Sequence, residues 1–366
     1  MLHWNGLDEV PASLTGSTVT IGNFDGVHRG HQSLLTTVVR AAHEHECASV
    51  VVTFDPHPAK VHRPAFAPVP IMSERRKAAL IAEAGVDALL TINYTLAFAD
   101  QSAEEFVRDY LVNGLRAKVV VVGHDVRFGR GNEGTLETMR SLGEKYGFEV
   151  VAVDDVGPER RWSSTWVREA LQKGDVEAAA EILGRPHVMR GTVVHGFARG
   201  REMGFPTANL SRDATGLMPA DGVYAGWLVD EAGTRWPAAI SIGTNPTFDG
   251  VVRTVESHVI DRPEEAVEDF DLYEQLVTVE FIQRLRGTVA YRGVEPLIEQ
   301  MNLDVAQTRE VLGADAASAE ARLACQARDA IDAPVIAAEK AEHAAGPEAA
   351  AGAAGSAAPS TPSASE

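Results

Sequence analysis

The sequence has few cysteines and little positive charge. Its two cysteines, Cys47 and Cys325, stand far apart in a chain of 366 residues. That excludes a disulfide framework and a CxxC metal site, and it suits a reducing cytoplasm. Lys and Arg total 33 against 52 Asp and Glu, a formal net charge of −19. A surface of that sign disfavours nucleic acid as a partner but leaves room for a nucleotide, which needs only a local positive pocket. No apolar run approaches the roughly 20 residues of a membrane helix, so no membrane is expected. The opening MLHWNGLDEVPASL lacks a basic region followed by an apolar core, so no secretory signal is expected. No repeat of fixed period occurs. Neither GxGxxG after the early apolar run nor the P-loop pattern GxxxxGK[ST] is found, which counts against a dinucleotide oxidoreductase and a Walker kinase.

What is present divides the chain in two, and 366 residues are enough for two sizeable cores. The first half alternates strand-like and helix-like segments. VTIGN (19–23) leads to a helical pattern near 30–46. SVVVTF (49–54), VDALLTI (86–92), KVVVVG (118–123) and FEVVAVDDV (148–156) read as strands. Helices are predicted from Ser73 to about Ala84 and over 103–113, the second with a Ser102/Glu105 capping box. Strands separated by helices predict an α/β domain with a parallel sheet, whose ligands sit beyond the carboxyl ends of the strands. SSTWVREALQKGDVEAAAEILG (163–184) reads as helix and closes this part. Short strand candidates then follow with turns between them, and helical periodicity returns only at about 294–312. That predicts an all-β barrel with a C-terminal helix. The boundary falls near 184–187. From 313 to 366, Ala, Gly, Pro, Ser and Glu dominate, which predicts a disordered tail.

Two stretches carry candidate chemistry. GNFDGVHRGH (22–31) lies at the end of the expected first strand. Its glycines allow close backbone approach to phosphate, and a helix starting near Gly30 offers N–H groups and partial positive charge to an anion. His28 and His31 sit about one helical turn apart. By spacing alone they suit a metal pair, a phosphate site or an ordinary helix start. A metal would need further ligands, and only His57 is at hand. In the second half, GTVVHGFARGREMGFPTANL (191–210) is a glycine-rich stretch ending in Thr207 and Asn209, whose oxygens suit magnesium or phosphate. A β-turn punctuated by Pro206 is the plainer reading. Ser163–Ser164–Thr165 reads first as a helix N-cap.

GNFDGVHRGH matches the GxFDxxHxGH signature of nucleotidyltransferases. With TFDPHP (53–58), VVGHDVRFGRG (121–131) and SSTWVR (163–168), it resembles the adenylyltransferase half of prokaryotic bifunctional riboflavin kinase/FAD synthetases. GFPTAN, GVYAGW (222–227), SIGTNPTF (241–248) and TVESHVID (254–261) resemble the riboflavin kinase half. The resemblance implies a Rossmann-like nucleotidyltransferase domain at 1–184 and a six-stranded barrel kinase domain at 187–312. It implies phosphorylation of riboflavin to FMN by Mg²⁺-ATP, then adenylylation of FMN to FAD with release of pyrophosphate. It assigns Gly22, Phe24 and Asp25 to the ATP loop, and His28 and His31 to the triphosphate and leaving pyrophosphate. Asp125 positions nucleotide or metal-bound phosphate; Arg161, Ser164 and Arg168 hold phosphates. Gly204, Thr207 and Asn209 serve the kinase site, Thr207 and Asn209 also as magnesium ligands, and Glu256 is its catalytic base. The rival readings are another nucleotidyltransferase, which would lack the barrel, and a non-catalytic flavin-binding module. Partners are expected to be small molecules, and a homo-oligomer is compatible. Two departures stand out: Glu274 in DLYEQLVTVEF, where relatives carry glycine, and GTVAYRG (287–293) in place of a charged segment.

Overall fold

The computed structural model describes residues 1–195, 205–247, 250–261 and 272–313. The tail expected beyond 313 lies outside them apart from its first residue, and Gly204 lies outside them as well.

The first half forms a sheet of six parallel strands: β1 (Leu2–Asn5), β2 (Ser17–Ile21), β3 (Ala48–Asp55), β4 (Ala88–Asn93), β5 (Ala117–Gly123) and β6 (Glu149–Val153). Their order across the sheet is β1-β4-β3-β2-β5-β6. The central strands read as unbroken valine runs because both faces are covered. Val50, Val52, Val120 and Val122 pack on one side with Phe106 and Leu111; Val51, Val119 and Val121 pack on the other. The helices are α1 (Arg29–Glu44), α2 (Pro58–His62), α3 (Glu74–Glu83), α4 (Leu96–Ala99), α5 (Ala103–Phe106), α6 (Leu136–Tyr146), α7 (Ser164–Lys173), α8 (Val176–Leu183) and α9 (Glu295–Leu312). The expected capping box joins Ser102 and Glu105 at the start of α5, which widens into a π-helical segment over Val107–Gly114.

One expectation shifts. The strand at VTI is the second in the chain, because Leu2–Asn5 adds an edge strand beside β4. Only Trp4 of those four residues is buried, so there is no alternation to detect. The shift does not move the histidine loop from its place at the sheet's switch point. The chain leaves β2 toward β3 on one side, and β5 lies on the other, which opens a crevice at the carboxyl end of β2.

The second half is a closed antiparallel barrel. Its strands are β7 (His187–Val194), β8 (Ala208–Leu210), β9 (Gly222–Val229), β10 (Arg235–Thr247), β11 (Gly250–Val259) and β12 (Leu276–Arg286), in the order β10-β11-β8-β7-β12-β9. The helix expected over 163–184 is two helices. Gly174 ends α7 in a left-handed conformation and Asp175 caps α8. Their apolar faces, Val167, Leu171, Val176 and Ile182 among them, share one core with Met189, Tyr224, Ile240 and Phe281 of the barrel. The two halves are therefore joined by packing as well as by chain.

Candidate functional site

The histidine loop is built on unusual backbone. Phe24 (φ 51°), Gly26 (φ 85°) and Val27 (φ 36°) all have positive φ, and a β-branched residue in that region is strained. The carbonyls the loop turns outward are held from the domain junction. Arg185 donates to Gly26 O at 2.7 Å and Val27 O at 3.1 Å, and Gln32 Nε2 donates to Val27 O at 2.9 Å. His28 then caps α1: its Nδ1 accepts the backbone N–H of His31 at 3.3 Å. That contact leaves Nδ1 unprotonated and puts the ring proton on Nε2, which can donate to an incoming oxygen. The two imidazoles stack with ring centres 3.7 Å apart. Gly30 leaves them room, because a Cβ there would lie 3.1 Å from the His28 ring and 3.3 Å from Trp162 O.

Both rings are neutral at neutral pH. Burial lowers His28 to about 4, helped by the charges of Arg161 and Arg185. Burial also lowers His31 well below its ordinary value, with His28, Lys77 and the same arginines adding to the effect. His31 Nδ1 is buried without a hydrogen-bond partner. A partnerless polar atom in a cleft wall marks a place where a ligand completes the hydrogen bonding.

The cleft these rings face has a volume of about 390 Å³. Gly22, Phe24, His28, His31, Asp125, Arg161 and Ser163–Thr165 line it. Two helix N-termini converge there, that of α1 behind His28 and that of α7 behind Ser163. Ser163 is the N-cap, accepting Trp166 N–H at 3.2 Å. The capping and ligand readings of this segment are thus compatible. Ser164 Oγ donates to Asp25 O at 2.7 Å, tying α7 to the histidine loop. Arg161 lies between Asp125 (2.6 Å) and Asp155 (3.1 Å), and these hydrogen bonds keep its guanidinium strongly basic. The cleft thus offers fixed dipoles, neutral imidazole donors and one cation already held by carboxylates.

The remaining two residues assigned to this half point elsewhere. The Asp25 carboxylate accepts the N–H of Ile71 at 3.0 Å and pairs with Arg168, whose Nε donates to Val69 O at 3.1 Å. Burial raises the Asp25 carboxyl, while Arg168 and the Ile71 amide pull it back. Asp25 lines a second cleft of about 240 Å³, together with Asn23, Phe54, His57, Lys60 and Lys77. The barrel closes one wall of it through Ala214, Thr215 and Gly216. Arg168 lines neither cleft; it braces the 69–71 segment against the histidine loop.

The barrel brings together Glu256, Asn209 and Thr207. Glu256 on β11 pairs with Asn209 on β8. Val255, Ser257 and Val259 are buried in the barrel, so Thr254, Glu256 and His258 occupy the other face. Asn209 Nδ2 donates to both Thr207 O and Thr207 Oγ1 at 3.3 Å. The amide oxygen is then the group left for a ligand. Thr254 Oγ1 donates to Glu256 Oε1 at 3.3 Å, and His258 Nδ1 donates to Pro206 O at 2.9 Å, fixing the end of the glycine-rich stretch to β11.

The substitution at Glu274 has a geometric reading. Its φ is +64°, the left-handed region that glycine adopts without strain. Its N–H still bonds Val193 O at 2.9 Å, so the turn onto β7 is kept at the cost of strain. Replacing Glu274→Gly is expected to raise stability by about 1 kcal/mol. Thermal unfolding of the two proteins checks this, and an unchanged or lower midpoint would contradict it.

Sequence reasoning missed Lys77, Arg185 and the 214–216 wall. Only Lys77 had a local signal: it precedes Leu80 and Ile81 by three and four residues, on the buried face of α3.

These features define a two-part transferase architecture, with a switch-point nucleotide cleft on an α/β sheet and a Thr–Asn–Glu site on an antiparallel barrel. Comparison with known proteins gives the same division. The family model described as FAD synthetase matches residues 10–166, and that described as riboflavin kinase matches residues 183–312. A bifunctional riboflavin kinase/FMN adenylyltransferase of Escherichia coli (strain K12) is 35% identical over 299 residues, covering 81% of this chain and 93% of that protein. One from Pseudomonas fluorescens is 37% identical over 306 residues, covering 83% and 96%. A crystal structure described as a macrolide-efflux protein from Streptococcus pneumoniae superposes with a TM-score of 0.74 at 31% identity, covering 84% of this chain and 98% of that one. Among the described residues no helix is long and apolar enough to cross a membrane. The chain belongs to the bifunctional riboflavin kinase/FMN adenylyltransferase family.

Proposed function

We infer that the chain makes FAD from riboflavin in two steps. The barrel, assigned to 187–312, transfers the γ-phosphoryl group of ATP to riboflavin and gives FMN and ADP. The α/β domain, assigned to 1–184, transfers AMP from a second ATP to FMN and gives FAD and pyrophosphate. The observation that carries the reading is the convergence of two helix N-termini and a neutral histidine pair on one switch-point cleft, in a chain that also carries the barrel site.

Adenylyl transfer needs no protein nucleophile. The FMN phosphate attacks the α-phosphorus as pyrophosphate leaves, so catalysis is positioning and charge stabilisation. In this reading the histidine loop, with Gly22 and Phe24, seats ATP. His28 and His31 donate to the triphosphate as charge develops on the leaving group. Arg161 turns from its aspartates to a phosphate, and Asp125 orients the nucleotide. Ser164, Asp25 and Arg168 hold the loop in shape, a supporting role in place of the direct phosphate and ATP contacts the resemblance implies.

In the barrel, Glu256 accepts the proton of the flavin's terminal hydroxyl as it attacks the γ-phosphoryl group. The donors there are a hydroxyl, an amide oxygen and a carboxylate, hard oxygens that suit Mg²⁺. When bound, magnesium would neutralise phosphate charge; Thr207 and Asn209 are the residues that would hold it, and Gly204, three residues before Thr207 in sequence, belongs to the same motif. The low cysteine content suits a reducing cytoplasm for this chemistry.

Incubation with riboflavin and Mg²⁺-ATP, with FMN and FAD separated over time, tests both steps. FMN should appear first and FAD follow. FMN without FAD would remove the adenylyl-transfer assignment, and neither product would remove the whole reading.

A further inference from the structure

The two clefts of the α/β domain meet at Asn23, which lines both. Its main-chain oxygen accepts a hydrogen bond from Lys77 Nζ at 3.3 Å, and Nζ also donates to Thr53 Oγ1 at 3.3 Å. Lys77 is only 4% exposed. Burying an ammonium group costs several kcal/mol unless its charge is answered. The ion-pair partner is Glu74, one turn earlier on α3, at 2.5 Å, and the Asp25 carboxylate in the same cleft also feels the charge. The pair is asymmetric. The Lys77 side chain is 5% exposed and that of Glu74 is 54% exposed, and both line the second cleft.

A tie between α3 and the ends of β2 and β3 needs only a neutral donor. A lysine brings a full charge to the partition between two clefts, with a counter-ion that solvent can take up. Its field reaches both sides: it helps to lower His31 in the nucleotide cleft and His57 in the second. The asparagine beside it keeps its side-chain oxygen buried without a hydrogen-bond partner. That oxygen is an acceptor and calls for a donor, so the group an incoming anion would answer is Lys77, whose counter-ion stands at the solvent edge.

We propose that Lys77 receives the phosphate of the acceptor during adenylyl transfer, releasing Glu74 to solvent as the acceptor enters the second cleft. This rests on the adenylyl-transfer reading given above. The difficulty of that reaction is bringing a phosphate anion up to a triphosphate. A desolvated cation between the clefts offsets the repulsion where water screens it least. One acceptor phosphate oxygen forms a bond to the α-phosphorus, and the bond from that phosphorus to the bridging oxygen of pyrophosphate breaks. Pyrophosphate leaves with the electron pair. Lys77 stays protonated, and nothing is oxidised or reduced.

The test uses full-length protein, FMN and saturating Mg²⁺-ATP, with riboflavin phosphorylation and thermal unfolding measured on the same samples. Lys77→Met should lower kcat/KM for FMN by about 100-fold, the scale of one lost charge-stabilising donor. Lys77→Arg should restore it to within about tenfold, and riboflavin phosphorylation should be unchanged in both. Glu74→Gln should lower KM for FMN, because the competing carboxylate is gone. Full FAD synthesis in Lys77→Met overturns the proposal. Equal loss in Lys77→Met and Lys77→Arg with a lowered unfolding midpoint, or a raised KM in Glu74→Gln, also overturns it, since both mark a structural tie. Wild-type protein that makes no FAD from FMN removes the adenylyl-transfer reading and this role with it; wild-type that makes FAD beside an unimpaired Lys77→Met removes the Lys77 role alone.

Discussion

Replacing His28 and His31 together by alanine takes FAD formation below detection while FMN formation from riboflavin continues. The expectation follows from the state of the rings. The N-cap contact between His28 Nδ1 and His31 N–H fixes one tautomer, so His28 presents Nε2–H. Burial keeps both imidazoles neutral. Neutral donors held in place act on the charge that develops as pyrophosphate leaves, and removing one such donor costs about 10²–10³ in rate. The rings stack at 3.7 Å, so the two losses are not expected to multiply independently. Alanine at position 28 also removes a helix cap, about 1 kcal/mol. His28→Asn separates the effects, because asparagine caps well but does not place a donor at the Nε2 position. It should keep the unfolding midpoint and still lose most adenylyl transfer. Unchanged FAD synthesis in the double variant would end the phosphate role of the pair.

The same burial has a signature in pH. His28 titrates at about 4 in the folded protein against an ordinary 6.5. Between those values the unfolded chain binds more protons than the folded one. The stability contribution is therefore complete above pH 6.5 and is lost as pH falls toward 4. Bound ATP places negative charge beside the rings and should flatten that loss. Thermal unfolding across this window, with and without ATP, measures it, and a flat profile in the free protein would contradict the burial argument.

The central strands could be read from the sequence because parallel strands buried on both faces appear as runs such as VVVV. The caps at Ser102 and Ser163 could be read because each is local chemistry. The edge strand Leu2–Asn5 could not, since a single buried tryptophan makes no pattern. The histidine loop was visible as a motif, but what holds it was not. Asp25 and Arg168 are 143 residues apart, and Gln32 and Leu183 are 151 apart. Such contacts exist only once distant parts of the α/β half are folded together, so the pairing of Arg168 with Asp25 could not be seen beside the phosphate role that the resemblance implies. The shared core of α7, α8 and the barrel was hidden for the same reason. A helix shows that it has an apolar face, not which domain covers it.

Replacing Glu256→Gln is expected to lower riboflavin phosphorylation by about 10²–10⁴, the usual range for a lost general base, and to leave adenylylation of supplied FMN intact. The substitution keeps volume and hydrogen-bonding shape, so Thr254 can still donate at the distance of 3.3 Å it holds to Glu256. The backbone pairing of residue 256 with Asn209 and Ser241 involves main-chain groups alone and survives. What is lost is the negative oxygen that takes the flavin hydroxyl's proton. If the residue acts as base, kcat falls while KM for riboflavin moves little, because the group works mainly in the transition state. If it were instead a magnesium ligand only, excess Mg²⁺ would restore the rate, since the defect would be one of affinity. The α/β site supplies the internal control. Its cleft is lined by residues 21–34, 123–126 and 153–165, none from β11, so FAD formed from FMN in the same sample reports intact protein. An unchanged kinase rate would remove Glu256 as the base. Loss of both activities would show that the shared core of α7, α8 and the barrel carries damage from one site to the other.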